Sequence, residues 1–253
     1  MNRWVEFCLG LSPAALVRGA RLGPQEVYRG ARRSFAAAAP FAVADLPVVT
    51  LDEILGAARV EVTLRVMHYE DGMMPLYDAV PLLSILQMER PSAVVEIGTF
   101  MGHTTRAMAQ NSEAVIHTVD LPEDFSAAAA TEQSGIPKDD FHLIANRSVG
   151  REFKNSPYAA RIRQHFGDTA QLDFSGFGRP SFFVIDGSHT YEYCKNDSEK
   201  CLAIAPPGST FLWHDCDAHH PGVVKCLMEW RAAGKDVARI AGTSLGYWKS
   251  PAR

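Results

Sequence analysis

The segment Val94-Val95-Glu96-Ile97-Gly98-Thr99-Phe100-Met101-Gly102 constrains this chain more than any other. Its apolar residues read as a buried β-strand. A strand that stops at Gly98, with a second glycine four residues on, makes a tight turn where backbone N–H groups approach a ligand closely. The segment His103 to Gln110 reads as the helix that follows. The spacing is G-x-x-x-G, which is neither the G-x-G-x-x-G of a dinucleotide site nor a phosphate-binding loop, since no G-K-[ST] follows. Glu96, two residues before Gly98, suits a ligand that is cationic or rich in hydroxyls rather than a phosphate.

The rest of the chain repeats the alternation. Strands are expected at Ala93–Ile97, Val115–Val119, Ile162–Phe166, Ser181–Ile185 and Ser209–Trp213, with a terminal pair at Val237–Ile240 and Ser244–Trp248. His142–Ile144 reads as a short strand or part of a loop, and Gln171–Phe174 as a turn or short helix. Helices are expected at Met74–Met88, Thr104–Asn111, Tyr191–Leu202 and Val223–Ala233, the last closed by Gly234. Thr50 followed by Glu53 is a capping-box pattern opening a further helix within Val48–Ala58. Apolar strands alternating with helices predict an α/β fold. The expected form is a Rossmann-like, doubly wound, mostly parallel sheet of about seven strands with an antiparallel C-terminal strand. Residues 1–70 are expected to form a helical N-terminal extension or lid, and residues 71–253 the main domain.

Composition narrows the class. The 253 residues carry a net charge of −4, without the basic stripe of a nucleic-acid binder. Five cysteines without C-x-x-C spacing imply reduced thiols and a cytoplasmic location, not a zinc knuckle. No apolar run is long enough for a transmembrane segment. Trp4 to Val17 is fairly apolar, but Glu6 and Pro13 interrupt it, so it reads as an amphipathic helix packed on the domain or on a second subunit rather than as a signal peptide. A homodimer is the expectation from that helix.

Open α/β sheets bind ligands at the carboxyl ends of their strands. Here those ends carry Glu96, Asp120, Gly167-Asp168, Asp186 and His214-Asp215. A single acid at a strand end is usually a helix cap or a solvated loop. Five along one edge outweigh that reading and point to a site for hydroxyl, amine or metal ligands.

This pattern resembles the class I S-adenosylmethionine (SAM) methyltransferases, and more closely the small-molecule O-methyltransferases around the catechol and caffeoyl-CoA enzymes and related glycan and natural-product enzymes. Val95-Glu96-Ile97-Gly98-Thr99-Phe100-x-Gly102 is similar to their first motif, His117-Thr118-Val119-Asp120 to their second strand, and Gly167-Asp168-Thr169-Ala170 to their segment beside adenine. Gly72-Met73-Met74 resembles their entry loop, though two methionines equally suit a core. The resemblance implies SAM as cofactor, held by Glu96, Gly98, Thr99, Gly102, Asp120, Asp168 and Asp186, with a small-molecule acceptor. Asp120 would accept from both ribose hydroxyls.

In the metal-dependent relatives an aspartate at the position of Asp186 binds a divalent cation and a lysine base stands three residues on. Here that residue is His189, whose imidazole suits general-base work near neutral pH and whose alternative is a loop or capping histidine. The catechol-type Asp-Asn metal pair is His214-Asp215 in this chain. Asp186, His214 and Asp215 are therefore the expected ligands of a divalent metal, Mg²⁺ or Mn²⁺, with His214 as a direct base in a metal-free site as the alternative. His219 and His220 read as surface residues at the mouth of the site, with a ligand role minor. O-methylation is favoured. N-methylation, hydroxylation on the same fold, and a non-catalytic SAM-binding scaffold are the rivals. A nicotinamide-dependent enzyme is disfavoured by the missing G-x-G-x-x-G.

Overall fold

Strand residues that are apolar on both sides must be covered on both sides, and this requirement shapes the molecule. The computed structural model describes residues 45–64, 72–123 and 147–252. Within them one sheet of eight strands runs in the order β1-β7-β8-β6-β5-β2-β3-β4. The strands are β1 (Val48–Val49), β2 (Ala93–Ile97), β3 (Val115–Asp120), β4 (Ile162–Phe166), β5 (Phe182–Ile185), β6 (Thr210–Trp213), β7 (Ala238–Ile240) and β8 (Gly246–Lys249). Every pairing is parallel except those of β8 with β6 and β7. The helices are α1 (Leu51–Leu55), α2 (Leu76–Glu89), α3 (His103–Gln110), α4 (Arg151–Lys154), α5 (Tyr191–Ile204) and α6 (Pro221–Ala232).

Period-two alternation sends successive side chains to opposite faces. Val94, Ile116, Phe182, Val184 and Leu212 pack with Leu82, Leu83, Leu86 and Met108 of α2 and α3 on one face. Val95, Ile97, Phe183, Ile185, Phe211 and Trp213 pack with Cys194, Leu227 and Trp230 of α5 and α6 on the other. Burying each such side chain contributes about 1.5–3 kcal/mol. Met73 and Met74 are buried, and Met74 joins the α2 face, so the methionine pair packs in the core.

The doubly wound, mostly parallel architecture is as the alternation predicts. The strand count differs: eight, not about seven. The extra strand is Val48–Val49, which pairs in parallel with β7 through bonds from Arg239 N to Pro47 O (2.8 Å) and from Ala241 N to Val49 O (2.9 Å). Two valines before a capping box read as the approach to a helix, and only the free edge of β7 makes them a strand. The capping box itself is present: Glu53 N donates to Thr50 Oγ1 (3.1 Å) and Thr50 N to Glu53 Oε2 (2.7 Å). The stretch read as a turn or short helix at Gln171–Phe174 opens on a hydrogen-bonded turn, with Gln171 N and Leu172 N both 2.9 Å from Asp168 O, and leads into a 3₁₀ turn at Ser175–Phe177. The helical reading of residues 1–44 and the segment His142–Ile144 lie outside the described residues. Among the described residues no helix is long and apolar enough to cross a membrane.

Candidate active site

The carboxyl edge of the parallel strands brings the strand-end acids together as predicted, but they divide into three settings. Glu96 lies inside the fold, 1% exposed. Its Oε2 accepts from Thr105 Oγ1 (2.5 Å) and Thr118 Oγ1 (2.6 Å). Thr118 in turn shares a 2.6 Å bond with Thr99 Oγ1, to which Gln164 Nε2 donates (3.1 Å). Burial raises the Glu96 carboxyl to about 8, against the lowering effect of the two threonines. Glu96 and Thr99 thus brace β2 against β3 and α3.

Gly98 and Gly102 both have positive φ (96° and 86°), as a tight turn demands. At Gly98 the reason for glycine is protein packing: a Cβ there would sit 1.9 Å from the carbonyl oxygen of Asp186. At Gly102 it would meet the Phe153 ring at 2.6 Å. The turn between them is tied to the segment ahead of α4 by Gly150 N to Phe100 O (2.9 Å) and Glu152 N to Met101 O (3.0 Å).

Asp120, at the end of β3, accepts from Phe100 N (2.6 Å), Leu121 N (2.7 Å) and Arg147 Nη2 (2.9 Å). Burial raises its carboxyl; the Arg147 guanidinium and the backbone donors work against that. Arg147 had no signature in the sequence. A ribose at Asp120 must share the carboxylate with this guanidinium. Asp168, after β4, accepts from Ala170 N (2.8 Å) and from the Tyr193 phenol, whose proton release is pushed up to about 12 by burial and by that aspartate.

The third setting is a cluster of histidines and carboxylates at the ends of β5 and β6. His214 Nδ1 lies 2.9 Å from Asp186 Oδ1 and 3.2 Å from Asp215 Oδ2, and its Nε2 lies 3.1 Å from Asp78 Oδ2. Burial pushes the imidazole down, but Asp186 and Asp215 outweigh it and raise the His214 pKa well above 6.5. His189 Nε2 is 2.8 Å from Asp215 Oδ2. The neighbouring imidazoles hold Asp215 well below the usual carboxylate range despite its burial. The His220 ring is tilted at 41° against that of His189, with centroids 4.4 Å apart.

Two members of this cluster were not assigned a site role from sequence. Asp78 lies on α2, far away along the chain. It is fully buried and also accepts from Ser244 N and Ser244 Oγ (both 2.7 Å). His220, read as a surface residue at the mouth of the site, stands at the N-cap position of α6 beside His189, its side chain turned to the cluster and not to the helix end. Gly222 makes that approach feasible, since a Cβ there would lie 2.4 Å from the His189 carbonyl oxygen. The pair Pro221-Gly222 at a helix start was the only sequence signal for it.

Asp186, His214 and Asp215, the expected metal ligands, offer ligand atoms within 4.8 Å of one another, so the three do converge. Their donor chemistry fits a metal only in part. His214 faces carboxylate oxygens at both ring nitrogens, and an imidazolium has no lone pair to give.

Residues 95–216 match the family model described as a methyltransferase domain. Among solved structures, the chain is similar to the SAH-bound methyltransferase PaMTH1 of Podospora anserina, at 13% identity and a TM-score of 0.52, over 72% of this chain and 81% of that one. It is similar at 12% identity to cofactor-bound Rv0187 from MTB, with a TM-score of 0.50 over 72% and 85% of the two chains. The O-methyltransferase TomG of Streptomyces achromogenes, in complex with SAM, aligns at 16% identity and a TM-score of 0.48 over 69% and 79%. No curated protein matches the chain in sequence.

Proposed function

We propose that this protein is a class I, SAM-dependent methyltransferase that methylates a hydroxyl oxygen of a small molecule, with His189 as general base, a reading supported by the match of residues 95–216 to a methyltransferase-domain model. The observation that carries the reading is the His189–Asp215 pair, 2.8 Å apart at the carboxyl edge where such folds bind their ligands.

When bound, SAM supplies a methyl group activated by its sulfonium. The residues that would hold it are those of the β2–α3 turn from Gly98 to Gly102, with Asp120 and Asp168 toward the ribose and adenine. Positive φ at Gly98, Phe100 and Gly102 supports the turn as a cradle. Glu96 supports it from behind, because its Oε2 is taken up by two threonines.

His189 takes the acceptor proton. Asp215 accepts from His189 Nε2–H, which fixes the tautomer and leaves Nδ1 as the basic nitrogen. His214, held between Asp78 and the Asp186–Asp215 pair, presents fixed positive charge beside the position where oxygen gains negative charge. Asp186 is the remaining carboxylate of the edge and orients the acceptor. Sugars, phenols and natural-product intermediates all offer such a hydroxyl.

A metal-assisted variant has the convergence of Asp186, His214 and Asp215 in its favour. Mg²⁺ or Mn²⁺ there would be held chiefly by the two carboxylates, and His214 would have to release its proton. Cytoplasmic residence and homodimerisation through the N-terminal segment complete the reading, and sedimentation equilibrium tests the dimer.

The deciding experiment is calorimetric titration with S-adenosylhomocysteine, in EDTA and with added Mg²⁺ or Mn²⁺. Micromolar binding indifferent to metal is expected. Absence of binding overturns the cofactor assignment. Binding in a chain that transfers no methyl group to any hydroxyl compound favours the scaffold.

A further inference from the structure

We propose that His189, Asp215 and His220 form a second, regulatory site for a first-row transition-metal ion such as Zn²⁺, and that the bound ion switches methyl transfer off. One ligand atom from each of the three lies within 4.8 Å of the others. Asp215 is central: Oδ2 faces His189 Nε2 at 2.8 Å and Oδ1 faces His220 Nδ1 at 3.7 Å. Two imidazoles and one carboxylate suit Zn²⁺, Co²⁺, Ni²⁺ or Fe²⁺, whereas Mg²⁺ and Ca²⁺ favour oxygen alone.

The arrangement is built by the fold. Gly222 lets the start of α6 close on the His189–Tyr191 backbone, with His220 on the adjoining turn. Asp215 stands in the left-handed region at φ 56°, and its carboxylate lies between the two imidazoles. His220 Nδ1 also lies 2.9 Å from Asp217 Oδ1, itself held by His219 N at 2.7 Å, so an ion bound at Nδ1 displaces that bond. All three side chains are partly exposed, which leaves an ion a path from solvent.

The effect on activity follows from counting electron pairs. A neutral imidazole has one lone pair and one N–H. An ion that binds His189 Nε2 beside Asp215 requires the proton on Nδ1 instead, which is then only a donor, so His189 cannot be metal ligand and proton acceptor at once. The inhibitory consequence rests on His189 being the base; the binding does not.

The test is titration of the full chain with Co²⁺ alone, followed by its visible absorption, with Zn²⁺ as competitor. One ion per chain is expected. His220→Ala, with His220→Gln as a check against misfolding, should weaken binding by more than about tenfold. His219→Ala should bind as the parent does, and so should His165→Ala, which breaks the 3.1 Å His117–His165 contact elsewhere on the sheet. Zn²⁺ should lower turnover of the parent, and EDTA should restore it. No Co²⁺ binding, or binding that survives His220→Gln and disappears in His214→Ala, overturns the site. Binding that leaves turnover unchanged or raises it overturns the switch. A chain that binds Co²⁺ in this pattern but transfers no methyl group before metal is added supports the site and overturns the methyl-transfer reading instead.

Discussion

A carboxylate with no access to water must find its donors inside the protein, and Asp78 finds three: Ser244 N, Ser244 Oγ and the imidazole of His214. Removing it leaves the His214 Nε2 and both Ser244 donors buried without their acceptor. Asp78→Ala should cost about 3–5 kcal/mol of unfolding free energy in urea. His214 has its folded pKa raised above the unfolded value. Its contribution is therefore complete below about pH 6.5 and lost as the pH climbs through the folded value. Asp215 runs the other way: its pKa is depressed, so its contribution is present above about 3.8 and lost on acidification. His189→Ala should lower kcat by about 10²–10⁴-fold while changing S-adenosylhomocysteine affinity little, and unaltered turnover would remove it from the mechanism. The strand-end acids were legible because each closes an apolar run. Asp78 was not: a lone acid in the first turn of an amphipathic helix reads as a dipole partner, and only the chain's return at Ser244 gives it a buried role.

At the scale of elements, β2 carries an acid in its core-facing run, and that choice has a measurable consequence. Glu96 has its carboxyl raised from 4.5 to about 8, so the folded state binds the proton more tightly than the unfolded one. Stability should fall as the pH rises from about 4.5 to 8, by up to about 5 kcal/mol. Glu96→Gln should flatten that slope in thermal melts run between pH 5 and 8, although His214 leaves a residual slope of the same sign. Helix α6 offers a second test. Gly222→Ala forces the helix start away from the His189 carbonyl, and about 1–3 kcal/mol of destabilisation is expected in denaturant titrations. The glycines of the β2–α3 turn were legible as a turn. Their spatial reasons, the Asp186 carbonyl and the Phe153 ring, come from elements distant in sequence, which no local pattern reports.

Across the whole molecule, the doubly wound plan was legible because short apolar runs and period-3.6 helices alternate from residue 74 onward. The eighth strand was not, since two residues carry no period. Its role is to cover the edge of β7, whose N–H groups would otherwise meet water or another chain. Deleting the residues before Thr50 should uncover that edge and raise the tendency to associate, as light scattering would show.

The far face of the sheet has one further consequence. Trp213, Trp230 and Trp248 meet edge to face, with centroids 5.1 and 5.5 Å apart, around Phe211, and Trp213 is the residue next to His214. Indoles this close share their excited states. The near-ultraviolet circular dichroism should show coupled bands, and light absorbed anywhere in the trio can be emitted beside the site. The protein thus carries an optical reporter of the packing on this face, one that needs no label.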